Sequence, residues 1–322
     1  ASLITRPVVV CLLAGICCLL WGSAFPCVKI GYRMFHVETQ QTASQILFAG
    51  CRFFLAGLLV LLFALIQRKD RQRTPLLPRS ATTWKRILIL SFFQTVTQYF
   101  FFYIGLAHTN GAKASIIEGM NVFICILIAS LLFHQERITL RKGIGCLIGF
   151  AGVVLINMQG SSISSGMTLT GEGFILISTV CYAFSSAVMK QYTREEDPIL
   201  LSGWQFLAGG IILMLLGILS GGTIRFDGHL SALAMLLYLA FISAGAYSLW
   251  SILLKYNPVS RVSVYGFMNP VFGFILSCLL LTDASQTIGW ISLASLLLVC
   301  IGIYIVNRVP ASGNQTSGQE LS

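Results

Sequence analysis

Long apolar runs constrain the fold of this chain more than any other feature of its sequence. Each run is about twenty residues long, the length at which an α-helix crosses the hydrocarbon core of a bilayer. Only 10% of the 322 residues are charged, which is too few to cover the surface of a soluble domain. The strands of a membrane barrel would alternate polar and apolar residues over about ten positions, a pattern that this sequence does not show. The sequence therefore predicts an all-α polytopic membrane protein.

Ten runs are long enough to be transmembrane helices, and short polar links join most of them. The predicted spans are 8–30, 44–66, 86–107, 112–133, 141–158, 171–191, 200–219, 232–254, 259–281 and 287–307. A Gly/Ser-rich link at 159–170 divides them into five and five. We therefore assign a first repeat to residues 1–158, a second repeat to 171–308 and a disordered C-terminal tail to 309–322.

The net charge of +10 is explained by membrane orientation rather than by nucleic-acid binding, because the basic residues lie between the apolar runs. With the N-terminus inside, sixteen lysines and arginines fall on the cytoplasmic side, many of them between Arg68 and Arg86. The outer side holds only Lys29, Arg33, Lys113 and Arg225. The positive-inside rule then predicts a multi-pass protein of the cell (inner or plasma) membrane with both termini in the cytoplasm.

The two halves repeat each other in sequence. The segment Phe54–Gly57 returns as Phe206–Gly209, and Tyr99 and Asn121 meet the same residue types 148 positions later, at Tyr247 and Asn269. Several matches at a nearly fixed offset indicate an internal repeat. Since five is an odd number of helices, the second copy must enter the membrane from the opposite face. The sequence thus predicts two inverted five-helix repeats, an architecture typical of secondary transporters.

Glu118 is the most unusual residue in the predicted spans, because a carboxyl group there costs about 2.5–3.5 kcal/mol on insertion scales. Helical spacing places it on one face with Ser115, Asn121 and Cys125. One interpretation is that Glu118 binds a cationic group of a substrate or takes up a proton during transport. The other is that it pairs with Arg52 or Lys113 and only holds helices together.

Arg52 lies about eight residues into the second span, too deep to reach water without a cavity. It either has a structural role or binds a substrate carboxylate through its planar guanidinium group. If Arg52 and Glu118 face the same cavity, the two charges would suit a zwitterion such as an amino acid.

Other polar and aromatic residues recur at similar depths in the predicted spans and are candidates to line a pocket with aromatic walls. The candidate substrate-binding residues are Glu118, Asn121, Gln94, Gln98, Tyr99, Trp21, Ser23, Tyr182, Ser185, Tyr247, Trp250, Asn269 and Arg52. Polar side chains also join membrane helices without any ligand, so each residue has a second interpretation as a packing contact.

Proline and glycine residues offer further alternatives. Pro26 and Pro270 lie inside predicted helices, either as hinges or as fixed kinks. Gly145, Gly149 and Gly152 give the small-residue spacing of a close helix contact, either within the bundle or with a second copy of the chain. The sequence is compatible with a monomer or a weak homodimer surrounded by membrane lipids.

Three stretches resemble the EamA-type branch of the drug/metabolite transporter superfamily. They are Trp21–Phe25, Arg52–Ala56 and Asn269–Phe272. The resemblance covers nearly the whole chain in two EamA-like halves. It implies a secondary transporter for a small-molecule substrate, in a family that carries amino acids, sugars, nucleotide-linked compounds and cationic metabolites. Export of an amino acid or a related zwitterionic or cationic compound fits this resemblance best.

The chain departs from the family pattern at the ends of the fourth and ninth spans. The acidic residues there, Glu136 and Asp283, follow Gln135 and Thr282 rather than glycine. Val122 stands in the first half where the second half has Pro270.

Catalytic and nucleotide-binding motifs are missing from the sequence. It contains no G-x-x-x-x-G-K-[ST] loop, no H-E-x-x-H and no G-x-S-x-G, and its ten cysteines form no C-x-x-C pair. We therefore expect no cofactor, no metal site and no enzymatic activity. A channel or a lipid scramblase is the alternative function, and a membrane enzyme is the least favoured.

Overall fold

The computed structural model describes residues 3–38, 40–66, 77–108, 117–157, 168–280 and 290–308. These ranges contain helices and connecting turns and no β-strand, which confirms the predicted all-α class. The predicted link and tail lie outside the described residues, except for residues 168–170 of the link. Asp283 also lies outside them.

The helical segments follow the predicted spans along the chain. They are α1 (Pro7–Met34), α2 (Thr42–Ile66), α3 (Ala81–Leu90, Ser91–Thr97 and Gln98–Ala107), α4 (Asn121–Leu127 and Ile128–Leu132), α5 (Leu140–Asn157), α6 (Leu169–Gly173 and Phe174–Tyr192), α7 (Pro198–Leu219), α8 (Leu230–Tyr256), α9 (Val259–Ser263, Val264–Phe267 and Met268–Leu280) and α10 (Trp290–Asn307). Six of them, α1, α2, α3, α6, α7 and α8, are long and apolar enough to cross a membrane. In α4 and α10, shorter apolar helices lie over 117–132 and 293–307. The protein is therefore a multi-pass membrane protein.

Local sequence signals set several helix starts. Asp197 caps α7, where its carboxylate accepts hydrogen bonds from the Ile199 and Leu200 amides at 2.8 and 3.2 Å. Pro198 follows at the first helical position, where its missing N–H costs nothing. Ser80 caps α3 in the same way, through the Thr83 amide at 3.0 Å.

Four helices change their winding inside or at the edge of a span, which apolar run length does not predict. Ser91–Thr97 of α3, Ile128–Leu132 of α4 and Leu169–Gly173 of α6 are π-helical. In α9 the segment Val264–Phe267 is a 3₁₀-helix. Pro270 lies four residues after Gly266 of this segment and has no backbone N–H to donate to the Gly266 carbonyl. Pro26, by contrast, lies within an uninterrupted α1.

Helix α2 packs against α7 through backbone contacts at glycine. A Cβ added to Gly57 would lie 2.5 Å from the Leu207 amide nitrogen and 2.9 Å from the Gly203 carbonyl oxygen. The rings of Phe53 and Phe206 stack beside this contact, with centroids 5.5 Å apart. The repeated Phe-Leu-Ala-Gly segments therefore lie on two helices that pack directly against each other.

Helix α5 packs against α10 in a similar way. A Cβ at Gly145 would lie 2.9 Å from the Gly302 carbonyl oxygen, and one at Gly152 would lie 2.7 Å from the Ser295 carbonyl oxygen. The Ser295 hydroxyl also donates to the Gly152 carbonyl. The small-residue row that the sequence assigned either to the bundle or to a second copy is thus used within the bundle.

The remaining helices surround these two pairs. Helix α1 contacts α8 and α9, while α6 contacts α3 and α4. Helix α8 packs on α2, and α3 packs on α7. These contacts form matched pairs between the two halves: α1–α8 corresponds to α6–α3, α1–α9 to α6–α4, and α8–α2 to α3–α7.

Substitution of Gly57 by alanine is expected to destabilise the protein. The new methyl group would meet backbone atoms of α7, which cannot rotate away, and overpacking of this kind costs about 1–3 kcal/mol. Thermal unfolding of the detergent-purified variant should show a lower Tm. Gly15→Ala is the matched control, since no atom lies within 4 Å of a Cβ at Gly15. Equal Tm values for the two variants would contradict the glycine-mediated contact.

Candidate functional site

Two tyrosines at equivalent positions of the sequence repeat contact each other in the interior. The hydroxyls of Tyr99 on α3 and Tyr247 on α8 lie 2.8 Å apart, at a sequence separation of 148 residues. The Tyr247 side chain is 3% exposed. The two repeats therefore meet at this pair, and the surrounding residues come from both halves.

Aromatic side chains form walls beside the Tyr99–Tyr247 pair. The Trp21 ring on α1 lies 5.0 Å from Tyr247 and 5.0 Å from Trp250, both in edge-to-face orientation. Tyr182 on α6 lies 6.4 Å from Tyr247. The structure thus brings together five sequence-predicted residues from α1, α3, α6 and α8. We call this group, Trp21, Tyr99, Tyr182, Tyr247 and Trp250, the aromatic chamber.

Several buried polar atoms at and near the aromatic chamber have no hydrogen-bond partner. Among the described residues, these include Nε1 of Trp21 and Trp250 and Oε1 of Gln98, which lies beside Tyr247. On α9, the same holds for Ser263 Oγ and Asn269 Oδ1. An unsatisfied buried polar group costs about 1–3 kcal/mol, so such groups cluster where water or a ligand binds. They give the chamber both hydrogen-bond donors and acceptors.

Arg52 connects α2 to α8. Its Nε donates to the Leu239 carbonyl oxygen at 3.1 Å and to Ser243 Oγ at 3.0 Å. The guanidinium carbon lies 5.4 Å from the centroid of the Phe53 ring. The side chain is 4% exposed, so this cation is held inside the protein by carbonyl, hydroxyl and aromatic groups.

Four other sequence-predicted residues bind neighbouring helices or their own helix. Gln94 Oε1 accepts from Gln205 Nε2 at 3.0 Å, and Ser185 donates to the Tyr182 carbonyl at 2.7 Å. Ser23 donates to the Leu20 carbonyl at 2.7 Å and lies 3.0 Å from the Tyr238 hydroxyl. Asn121 Oδ1 accepts from Cys125 at 3.1 Å. These contacts correspond to the packing interpretation.

Gln94 and Gln98 have different surroundings although four residues separate them. Gln94 lies inside the π-helical segment Ser91–Thr97, which has a wider turn than an α-helix, and Gln98 follows the end of that segment. As a result, Gln94 faces α7 and Gln98 faces Tyr247. The two amides therefore have different neighbours.

Glu118 lies near the start of α4 and is partly exposed. None of the described residues forms a hydrogen bond or an ion pair with its carboxylate, and the pairing with Arg52 is not formed. The other predicted partner, Lys113, lies outside the described residues, as does Ser115.

Three residues of this region were missing from the sequence-based set. Gln205 on α7 is fully buried and also accepts from Thr95 Oγ1 at 3.1 Å. Tyr238, an exposed side chain, pairs with Ser23, and the Tyr32 hydroxyl is buried close to Tyr103. The sequence could have identified Gln205, because it is a single amide side chain inside an apolar run, as Gln94 is.

A polar cluster closes one end of the bundle. Glu136, after α4, accepts from the Ser260 amide at 2.8 Å, from the Ser260 hydroxyl and from Lys142 Nζ at 2.6 Å. Lys190 at the end of α6 donates to the Leu254 carbonyl at 2.9 Å and to the Asn257 carbonyl. The turn between α8 and α9 is therefore held by residues of α4, α5 and α6.

Comparisons with known proteins agree on one family. The EamA-like transporter family matches residues 8–158 and 169–308. A WAT1-related chloroplastic protein of Arabidopsis thaliana is 25% identical over 89% of this chain, which spans 66% of that relative. The uncharacterized inner membrane transporter YedA of Escherichia coli is 25% identical over 91% of this chain and 90% of its own length. A solved crystal structure has the same fold, with a TM-score of 0.71, 18% identity and coverage of 91% of this chain and 94% of that one.

The two kinds of interior glutamine are expected to differ in their effect on stability. Gln205→Leu would leave Gln94 Oε1 and Thr95 Oγ1 unpaired, at a cost of about 1–3 kcal/mol. Gln98→Leu removes an oxygen that has no partner and should cost less. Thermal unfolding in detergent measures both changes. A larger loss of Tm in Gln98→Leu would contradict the assignment of Gln205 as the packing residue and of Gln98 as the chamber residue.

Proposed function

Because the chain belongs to the EamA-like transporter family, we propose that it is a secondary transporter that moves a small polar metabolite by alternating access. The observation that carries this proposal is the contact between Tyr99 and Tyr247, two equivalent residues of the repeat that meet beside aromatic walls and unpartnered polar atoms. A site shared by two repeats is where transporters of this architecture bind their substrates. The substrate is an amino acid or a related zwitterionic or cationic compound, and the direction is export.

The arrangement of ten membrane helices in two inverted repeats is part of the same proposal. In the two halves, α1 corresponds to α6, α3 to α8 and α4 to α9. The packing supports this arrangement, because α1 contacts α8 and α9 just as α6 contacts α3 and α4. A transporter needs two states of similar free energy that open to opposite sides. Two inverted repeats provide them, because exchange of the two repeat conformations converts one state into the other.

The Glu136 cluster serves as the gate at one end of the chamber. It lies at the end that carries Lys142 and Lys190, which the positive-inside rule assigns to the cytoplasm. Its carboxylate comes from the first half and the Ser260 groups come from the second half. Opening toward the cytoplasm would separate them, so the cluster stabilises the closed state of that side.

Solute flux through proteoliposomes tests the transporter assignment. Solutes that stabilise the purified protein in a screen of amino acids, amines, sugars and nucleotides should enter the vesicles with saturable kinetics and counterflow. Trp250→Ala should reduce this flux at least tenfold because it removes one wall of the chamber. Trp84→Ala is the control, since Trp84 packs on Trp204 away from the chamber. Flux that does not saturate and is orders of magnitude faster would indicate a channel instead.

Loss of the carboxylate at Glu136 should loosen the gate. Glu136→Gln removes the ion pair with Lys142 and weakens the acceptor for the Ser260 amide. Hydrogen–deuterium exchange of a peptide covering residues 257–263 should become at least several-fold faster. Glu195→Gln is the control, because Glu195 pairs with Arg86 outside the gate. Unchanged exchange in Glu136→Gln would rule out the gate assignment.

A further inference from the structure

Arg52 lies at a depth where a cation is costly. It is ten residues from the start of α2, or about 15 Å along the helix axis. The hydrocarbon core of a bilayer is about 30 Å thick, so Arg52 lies near its middle. With 4% of its surface exposed, the side chain does not reach water at either membrane surface. Its charge therefore has to be stabilised by groups within the protein or by a bound solute.

Among the described residues, one of the three guanidinium nitrogens has hydrogen-bond partners. Nε binds the Leu239 carbonyl and Ser243. Within the described ranges, no residue forms a hydrogen bond or an ion pair with either terminal amino group. These two groups carry four N–H donors in a rigid, planar arrangement. No described carboxylate neutralises the charge.

Tyrosine side chains of both halves surround this unpaired cation. Tyr32, Tyr99, Tyr103 and Tyr247 all lie within electrostatic range of Arg52. The Tyr32 hydroxyl lies close to the Tyr103 side chain. Tyr99 and Tyr247 are also members of the aromatic chamber. Two members of the aromatic chamber therefore lie within electrostatic range of the Arg52 cation.

We propose that the two terminal amino groups of Arg52 form an anion subsite that binds the carboxylate of the transported solute. This inference rests on the proposed transport function and narrows its substrate class to organic carboxylates. A planar carboxylate accepts two parallel N–H bonds from a guanidinium group, which matches the donors that are free. The solute would supply a counter-charge that none of the described residues provides, and its remaining part would lie against the aromatic side chains.

Ligand binding to the purified full-length chain tests the subsite. The probes are amino acids and simple organic acids, each compared with its amide and with the amine that lacks the carboxyl group, together with inorganic phosphate. We expect carboxylates to raise the Tm of the wild type, and the matched amides and amines to have much less effect. Arg52→Lys keeps the positive charge but removes the planar pair of terminal amino groups. It should therefore weaken carboxylate binding at least tenfold.

Two controls separate binding from a purely structural role of Arg52. Arg225→Lys changes an exposed arginine of the α7–α8 loop and should leave every affinity unchanged. A structural role would lower the ligand-free Tm of Arg52→Lys and weaken carboxylates, amides and amines alike. Selective loss of carboxylate binding is the signature of the subsite.

The outcomes that overturn the subsite differ from those that overturn transport. Binding and counterflow of amines or sugars alone would remove the carboxylate assignment and leave the transporter intact. If phosphate but no carboxylate stabilises the wild type, and this stabilisation is lost in Arg52→Lys, the subsite binds phosphate instead. Carboxylate binding that persists in Arg52→Lys would exclude the role of its terminal amino groups. Absence of both binding and counterflow would overturn the subsite together with the transport function.

Discussion

A bilayer core offers no water to polar side chains, and this constraint decides how the helices of the protein are arranged. Gln205 is buried only because Gln94 and Thr95 on α3 bind both ends of its amide. Ser185 and Ser251 turn back to the carbonyls of Tyr182 and Tyr247 on their own helices. Most buried polar groups are therefore parts of the scaffold. Among the atoms left without partners, those of Trp21, Gln98 and Trp250 make the aromatic chamber a candidate site.

Glycine contacts and polar contacts divide the bundle into parts of different rigidity. At Gly57 and Gly145, backbone lies against backbone in the α2–α7 and α5–α10 pairs, so neither pair can slide without a clash. The turn between α8 and α9 is instead held by the side chains of Glu136 and Lys190. Side-chain contacts break and re-form at lower cost than packed backbone contacts. Motion between two states is therefore expected around α3, α4, α8 and α9, with the two glycine pairs as its frame.

The sequence was sufficient to predict the fold class, because runs of twenty apolar residues permit almost nothing else. It also named Trp21, Tyr182 and Trp250 as residues at similar depths, and these become neighbours of Tyr247 or of each other once the helices pack. The sequence did not predict which neighbour each buried polar side chain binds. Whether Gln94 faces the chamber or α7 depends on the π-helical turn at Ser91–Thr97, a change of winding that run length and hydropathy do not encode.

The structure also changes how the two interpretations of Arg52 relate to each other. From the sequence, a structural role and a binding role were alternatives for one side chain. In the structure they fall on different atoms: Nε holds α2 to α8, and the terminal amino groups have no partner among the described residues. A guanidinium group can do both because its planar fork separates these donors by fixed angles. An anchored Nε also restricts the orientation of the fork, so the free donors would meet a solute already positioned, at a low entropic cost.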